Sequence, residues 1–204
     1  STGLKAFIEE ELGGIHHRFK RGYKNVINEA IRLNNEGREC HLAIETSGHG
    51  ALKENYFLDD GAYLITTILI KMARMKIYEN KGIETLIENL AEPAEAKEFR
   101  MNLLVEDFSE YGHSILKDLE AYAQQSEDWE IAPDNYEGIR VSFDSDNGDG
   151  WFLLRMSLHD PLMPLNIESN TTGGVRKIAS KLLPFLSKYD GLDVSTLNSY
   201  VNEI

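Results

Sequence analysis

What this chain lacks narrows it first. It has a single cysteine, Cys40, so no internal disulfide can form, and a reducing cytoplasm is the expected compartment. Basic residues are in deficit. With 21 Lys and Arg against 34 Asp and Glu the net charge is −13, which argues against a broad nucleic-acid surface, because such surfaces need a basic field. Long apolar runs are missing too. The most apolar stretch, Ala62 to Ile77, is interrupted by Thr66, Thr67, Lys71, Arg74 and Lys76, and is too short and too charged to span a bilayer. The opening residues, Ser1 to Glu10, carry no apolar core of the signal-peptide kind. Six histidines are present, but no HExxH or CxxC pattern arranges them for zinc, and neither a GxSxG elbow nor a Walker loop occurs. Asp144, Asp146 and Asp149 fail the calcium-loop spacing: the glycine is misplaced and Arg155 stands where a closing glutamate belongs, so a hairpin turn is the better reading. No metal site, nucleic-acid partner or membrane partner is therefore expected in this chain.

What is present suits a soluble globular protein: 42% apolar and 27% charged residues over a length that fits one large domain or two small ones. The first half alternates helical and strand patterns. Gly3 to Leu12 reads as a short helix stopped by Gly13-Gly14, His16 to Phe19 as a strand, Tyr23 to Asn34 as a helix and His41 to Ile44 as a short strand. Asp59-Asp60-Gly61 opens a long helix, since acidic residues suit the positive helix N-terminus; its apolar residues cover more than one face, which predicts burial. Ile83 to Leu90 is a further short helix. This alternation argues an α/β layered domain over residues 1–93.

Ala91 to Ala96 reads as a linker, and the pattern then changes. Strands are predicted at Phe99 to Val105, Gly138 to Phe143, Gly150 to Met156 and Pro164 to Glu168, with helices at Phe108 to Gln125 and Gly174 to Lys188 and a short one in the tail. Strands in quick succession with two helices argue an α+β domain over residues 97–204, an antiparallel sheet with helices packed on one face.

Three stretches carry candidate chemistry. In Arg155-Met156-Ser157-Leu158-His159-Asp160-Pro161, a continued strand period would project Arg155, Ser157 and His159 to one face. A guanidinium, a hydroxyl and an imidazole there form a clamp for a small phosphorylated ligand; the alternative is a surface strand end whose Arg and Asp pair with each other. The densest basic cluster, His16 to Lys24 with Arg18 and Lys20, suits a compact anion, or is a solvated turn entering a helix. In Glu45-Thr46-Ser47-Gly48-His49-Gly50, a carboxylate at a strand end can accept from two adjacent sugar hydroxyls, with Ser47 and His49 completing the set; the alternative is a turn in which Glu45 caps a backbone donor.

Taken together these stretches resemble the C-terminal half of an α-D-phosphohexomutase, the phosphoglucomutase/phosphomannomutase family. Glu45 to His49 is similar to the family's sugar loop, GE-x-SGH; Arg18 to Tyr23 to its RTKxG segment; and Arg155 to Pro161 to its phosphate loop, RPSGTEP, with Leu158, His159 and Asp160 in place of Gly, Thr and Glu. The resemblance implies a third domain over 1–93, lacking its first strand, and the fourth domain over 97–204. It implies that Glu45, Ser47, His49, Lys20 and Arg18 hold the sugar, and that Arg155, Ser157 and His159 hold phosphate. The partners it implies are hexose phosphates (glucose or mannose 1- and 6-phosphate) and the N-terminal domains of the same enzyme. The family's phosphoserine and magnesium loops, TASHNP and DGDxDR, have no counterpart here. No catalytic residue and no bound cofactor are then expected in this chain, Mg2+ is expected in the full-length parent, and the chain alone is expected to be inactive. From a different class, a stand-alone sugar-phosphate-binding or protein-interaction module without catalysis is the alternative.

Overall fold

The computed structural model describes residues 2–133, 135–157 and 160–203. They form two compact units, one from Leu4 to Leu90, the other from Ala91 onward together with the first three residues. Each is described by itself.

The first unit is mostly helical. It takes in the end of a short helix α1 (Thr2–Ala6), from Leu4, which runs into a π-helical turn (Phe7–Glu11), and α2 spans Tyr23–Asn35. Residues 16–19, predicted as a strand, form an irregular segment instead. Their apolar content is low, and a side-chain tether to α2, described below, fixes them without a ladder. Strands β1 (Leu42–Ile44) and β2 (Gly50–Leu52) pair antiparallel, Leu42 opposite Leu52 and Ile44 opposite Gly50. A 3₁₀ turn (Lys53–Asn55) leads to Tyr56 and Phe57, both in the left-handed region at φ 55° and 56°. That reversal returns the chain beside β2, where Asp59 bridges Ala51. Helix α3 (Gly61–Arg74) follows, capped by Asp60, whose side chain accepts from Tyr63 N at 3.0 Å. A π-helical turn (Met75–Glu79) and a 3₁₀ segment (Ile83–Ile87) complete the unit.

Helix α3 is not buried as its pattern predicts. None of its residues is buried, and Ile65 and Leu69 are 60% and 51% exposed. The reason is geometric. Its 14 residues extend about 21 Å, whereas a pair of three-residue strands offers a surface only about 10 Å long. The small core of this unit gathers Ile27, Ala30, Ala43 and Ala51 between α2 and the hairpin.

The second unit is the expected antiparallel sheet with helices. Its five strands are β3 (Glu95–Asn102), β4 (Glu130–Ile131), β5 (Gly138–Phe143), β6 (Gly150–Arg155) and β7 (Leu162–Ser169), in the order β3-β7-β6-β5-β4. Inward residues alternate as a half-buried strand requires: Phe99 and Met101, Val141 and Phe143, Phe152 and Leu154, Met163, Leu165 and Ile167. Helices α4 (Phe108–Gln124) and α5 (Gly174–Leu186) bring Ile115, Leu119, Ile178 and Leu182 to the same core, and α6 (Ser195–Asn202) adds Leu197. Each such buried side chain contributes about 1.5–3 kcal/mol. The opposite sheet face carries polar residues: Trp151 donates Nε1–H to Glu168 at 3.1 Å and lies 3.6 Å below the Arg140 guanidinium.

One glycine couples this core to the segment after β6. Gly112, in mid-helix α4, faces Met156, and a Cβ added there would overlap Met156 Sδ and lie 3.3 Å from Leu103 Cδ1. Helix propensity alone favours Gly112→Ala by about 1 kcal/mol. The overlapped atoms are the flexible end of the partly buried Met156, which can swing aside, so the two effects nearly offset and Gly112→Ala is expected to change stability by less than about 1 kcal/mol in urea denaturation. A loss of about 3 kcal/mol would show instead that Met156 is locked against α4.

Candidate functional site

The loop joining β1 to β2 holds Glu45, Ser47 and His49. Its backbone is closed by Glu45 N donating to His49 O and Gly48 N donating to Glu45 O, both at 2.9 Å. The Glu45 carboxylate folds back on this turn. Oε2 accepts from Ser47 N at 3.0 Å and from the Ser47 hydroxyl, and Oε1 accepts from the Thr46 hydroxyl at 2.9 Å. The Ser47 hydroxyl foremost, then its N–H, the Thr46 hydroxyl and the Arg21 charge hold this carboxyl below the usual range against partial burial. A carboxylate offers about four lone-pair sites. Three are taken by the turn's own donors, so one site remains unless a hydroxyl of the turn gives way. The capping role weighed from sequence is thus what the structure draws, and it leaves the carboxylate charged and aimed by its own loop.

His49 is held from outside the loop. Its Nδ1 lies 2.8 Å from Asp59 Oδ2, and its ring stacks on Tyr23 with centroids 4.9 Å apart and planes inclined by 23°. Neither partner was chosen from sequence. In the sequence Asp59 reads as helix-start charge, and Tyr23 as the end of the family-like segment Arg18–Tyr23 and the first residue of a helix.

The basic segment leads into α2 through Gly22, at φ 104° and ψ 124°, a conformation that suits glycine. Arg18 is half-buried and Lys20 exposed, and among the described residues neither is in an ion pair. Lys20 lies over the Phe19 ring at 5.9 Å. The segment is tethered by His17, whose Nε2 is 2.8 Å from Glu29 Oε1. Glu29, buried on α2, also accepts Arg32 Nε and NH2 at 2.8 Å each, a bidentate pair. Neither His17 nor Glu29 was chosen from sequence; a lone Glu among the polar positions of an amphipathic helix gives no sign of burial.

In the second unit, β6 ends at Arg155, so the strand alternation that would align Arg155, Ser157 and His159 stops there. Ser157 N donates to Leu162 O at 2.9 Å, Asp160 N to Ser157 Oγ at 3.3 Å, and Leu162 N to Asp160 O at 2.8 Å, closing a tight turn into β7. The half-buried Arg155 places NH1 3.3 Å from Met156 O at the base of this turn. His159 lies outside the described residues. A shallow groove of about 460 Å³ lies elsewhere in this unit, lined by Lys97, Arg100, Ser199 and Tyr200, and none of the sequence-chosen residues lines it. Among the described residues no group of three or more His, Cys, Asp or Glu side chains could hold a metal ion, and no helix is long and apolar enough to cross a membrane.

A hairpin loop with a folded-back carboxylate, a tethered basic segment and an Arg-based turn are placed on a mixed α/β scaffold. Residues 1–94 match the family described as phosphoglucomutase/phosphomannomutase, alpha/beta/alpha domain III. The chain is 28% identical to a phosphoglucomutase of Neisseria gonorrhoeae over 141 residues, 69% of this chain and 28% of that protein. It is 30% identical to a phosphomannomutase/phosphoglucomutase of Pseudomonas syringae pv. tomato over 139 residues, 67% of this chain and 26% of that one. A solved phosphoglucomutase/phosphomannomutase family protein of Burkholderia thailandensis superposes with a TM-score of 0.65 over 91% of this chain and 35% of its own, at 24% identity, a likeness of fold. These likenesses support a C-terminal part of a phosphohexomutase. It spans just over a quarter of the length of the curated relatives it matches.

The buried Glu29 gives a pH dependence. Bonding to Arg32 foremost, and also to His17, lowers its carboxyl from 4.5 to about 2 despite burial. A depressed carboxyl stabilises the folded state above its unfolded value and loses that contribution as pH falls through the folded one. Thermal stability of the first unit is therefore expected to decline as pH drops from about 4.5 toward 2. Glu29→Gln should cost roughly 2 kcal/mol at neutral pH and flatten that decline. An unchanged acid profile in Glu29→Gln would remove Glu29 from this role.

Proposed function

We propose that this chain is the sugar- and phosphate-binding half of a phosphoglucomutase/phosphomannomutase, which interconverts hexose 1-phosphate and hexose 6-phosphate through a bisphosphate intermediate. The observation that carries the reading is the family match over residues 1–94 coinciding with a loop whose charged Glu45 is aimed by Ser47 and Thr46. In this reading Glu45 and Ser47 take sugar hydroxyls, with His49 beside them. Lys20 and Arg18 supply positive charge toward an anionic substrate. Arg155 and Ser157, with His159, anchor the phosphate that is not being transferred.

The work assigned to these residues is positioning and electrostatic stabilisation rather than phosphoryl transfer. A guanidinium offers a planar fork that meets two phosphate oxygens, and a hydroxyl fixes the third direction. The magnesium expected of the parent enzyme is assigned in this reading to the rest of that enzyme, and no step here passes through it. The rest of the enzyme supplies the phosphoryl carrier, and this chain alone should show no mutase turnover. A cytoplasmic location accompanies the reading, since hexose phosphates are intracellular metabolites.

The phosphate turn can be tested in the chain as it is. Inorganic phosphate titrated into labelled protein should shift the amide signals of Arg155, Met156, Ser157, Asp160 and Leu162 with roughly millimolar affinity, about 4 kcal/mol. Arg155→Ala should abolish those shifts, and Arg155→Lys should weaken them by losing the bidentate geometry. Shifts that cluster elsewhere, or survive Arg155→Ala, would overturn the assignment of the turn as the anion site.

A further inference from the structure

His49 is the one member of the sugar loop whose ring is fixed by residues outside that loop. A carboxylate only accepts hydrogen bonds, so the 2.8 Å contact between His49 Nδ1 and Asp59 Oδ2 requires the proton to sit on Nδ1. In the neutral ring Nε2 is then a bare acceptor. Among the described residues no other group hydrogen-bonds to the His49 ring, and this side chain is 49% exposed, which leaves the Nε2 edge available to a ligand.

The placement of Asp59 is built into the fold. The consecutive left-handed residues Tyr56 and Phe57 turn the chain back, and the antiparallel bridge sets Asp59 opposite Ala51, which lies two residues past His49. Its neighbour Asp60 takes the helix-capping task by accepting from Tyr63 N, which leaves the Asp59 carboxylate for His49. The Tyr23 ring, from the first turn of α2, covers one face of the imidazole and restricts its rotation.

We propose that Asp59 and Tyr23 are positioning residues for His49: Asp59 holds it in the Nδ1–H tautomer and Tyr23 holds its ring plane, so that Nε2 accepts a hydrogen bond or a proton from a ligand hydroxyl. A carboxylate that orients a histidine in this way fixes which nitrogen does the chemistry. The identity of the ligand rests on the sugar-loop reading; the tautomer does not.

The test reads the tautomer without any ligand, which separates this proposal from the loop assignment. The chain is labelled with 15N at histidine, and long-range proton–nitrogen correlations are recorded at about pH 9, where an ordinary imidazole is neutral. The His49 signals are identified by their loss in His49→Gln. The expected pattern is Nδ1–H for His49 in the wild type, a change to Nε2–H in Asp59→Ala, and retention of Nδ1–H in Asp59→Asn, whose carbonyl can still accept. The ring protons of His49 should lie upfield in the wild type and in Tyr23→Phe, and lose that shift in Tyr23→Leu. Amide signals outside residues 45–60 report that the variants are folded. An Nε2–H pattern in the wild type, or an Nδ1–H pattern that survives Asp59→Ala, would overturn the proposal.

Discussion

Strand β7 is the constraint on which the second unit depends. It pairs along eight residues with β3, from Leu162 opposite Asn102 to Ser169 opposite Glu95. On its other side it pairs along five with β6, from Leu165 opposite Leu154 to Ser169 opposite Gly150. Met163, Leu165 and Ile167 on its inner face are fully buried and face α5, in a core that α4 also enters. A one-residue slip would turn all three to solvent, so the register is strongly fixed. The turn after Arg155 inherits that register, because it is the connection from β6 into β7. Arg155 stands where one strand ends and Leu162 where the next begins.

The first unit is shaped by a different means. Its hairpin is only three residues per strand, and its core is four small or medium side chains. Polar tethers take over where packing is thin. Glu29 gathers His17 and Arg32, Glu45 gathers its own turn, and Asp59 gathers His49. Buried or partly buried carboxylates are costly to leave alone, so each tether specifies one local arrangement as well as adding stability. The exposed apolar residues of α3 follow from the same economy of sheet: the hairpin has no surface to cover a helix twice its length.

Sequence reading reached the elements whose signal is local. The helical spacing of Tyr23–Asn35, Phe108–Gln124 and Gly174–Leu186 is visible because one face of each is apolar, and β5 and β6 show as apolar runs around an Asp- and Gly-rich turn. The two-residue strand β4 carries no period to read, and β2, three residues long and beginning with Gly50, carries little. The burial predicted for α3 failed because amphipathicity reports what a helix would bury, not how much sheet there is to bury it. The loops Glu45–His49 and Arg155–Pro161 were legible through their likeness to family motifs. Asp59, Tyr23 and Glu29 were not, since their roles come from contacts 10, 26 and 12 residues away along the chain, between residue types that are ordinary at a helix start or on a polar face.

The central claim is that the carboxylate-bearing hairpin loop is a sugar site and the Arg155 turn an anion site. It is tested most directly by comparing two titrants on labelled protein. Glucose 1-phosphate should move the amide signals of Glu45 to His49, where inorganic phosphate leaves them in place, and those shifts should vanish in Glu45→Gln. Identical shift maps for the two titrants, or shifts at residues 45–49 that persist in Glu45→Gln, would contradict it.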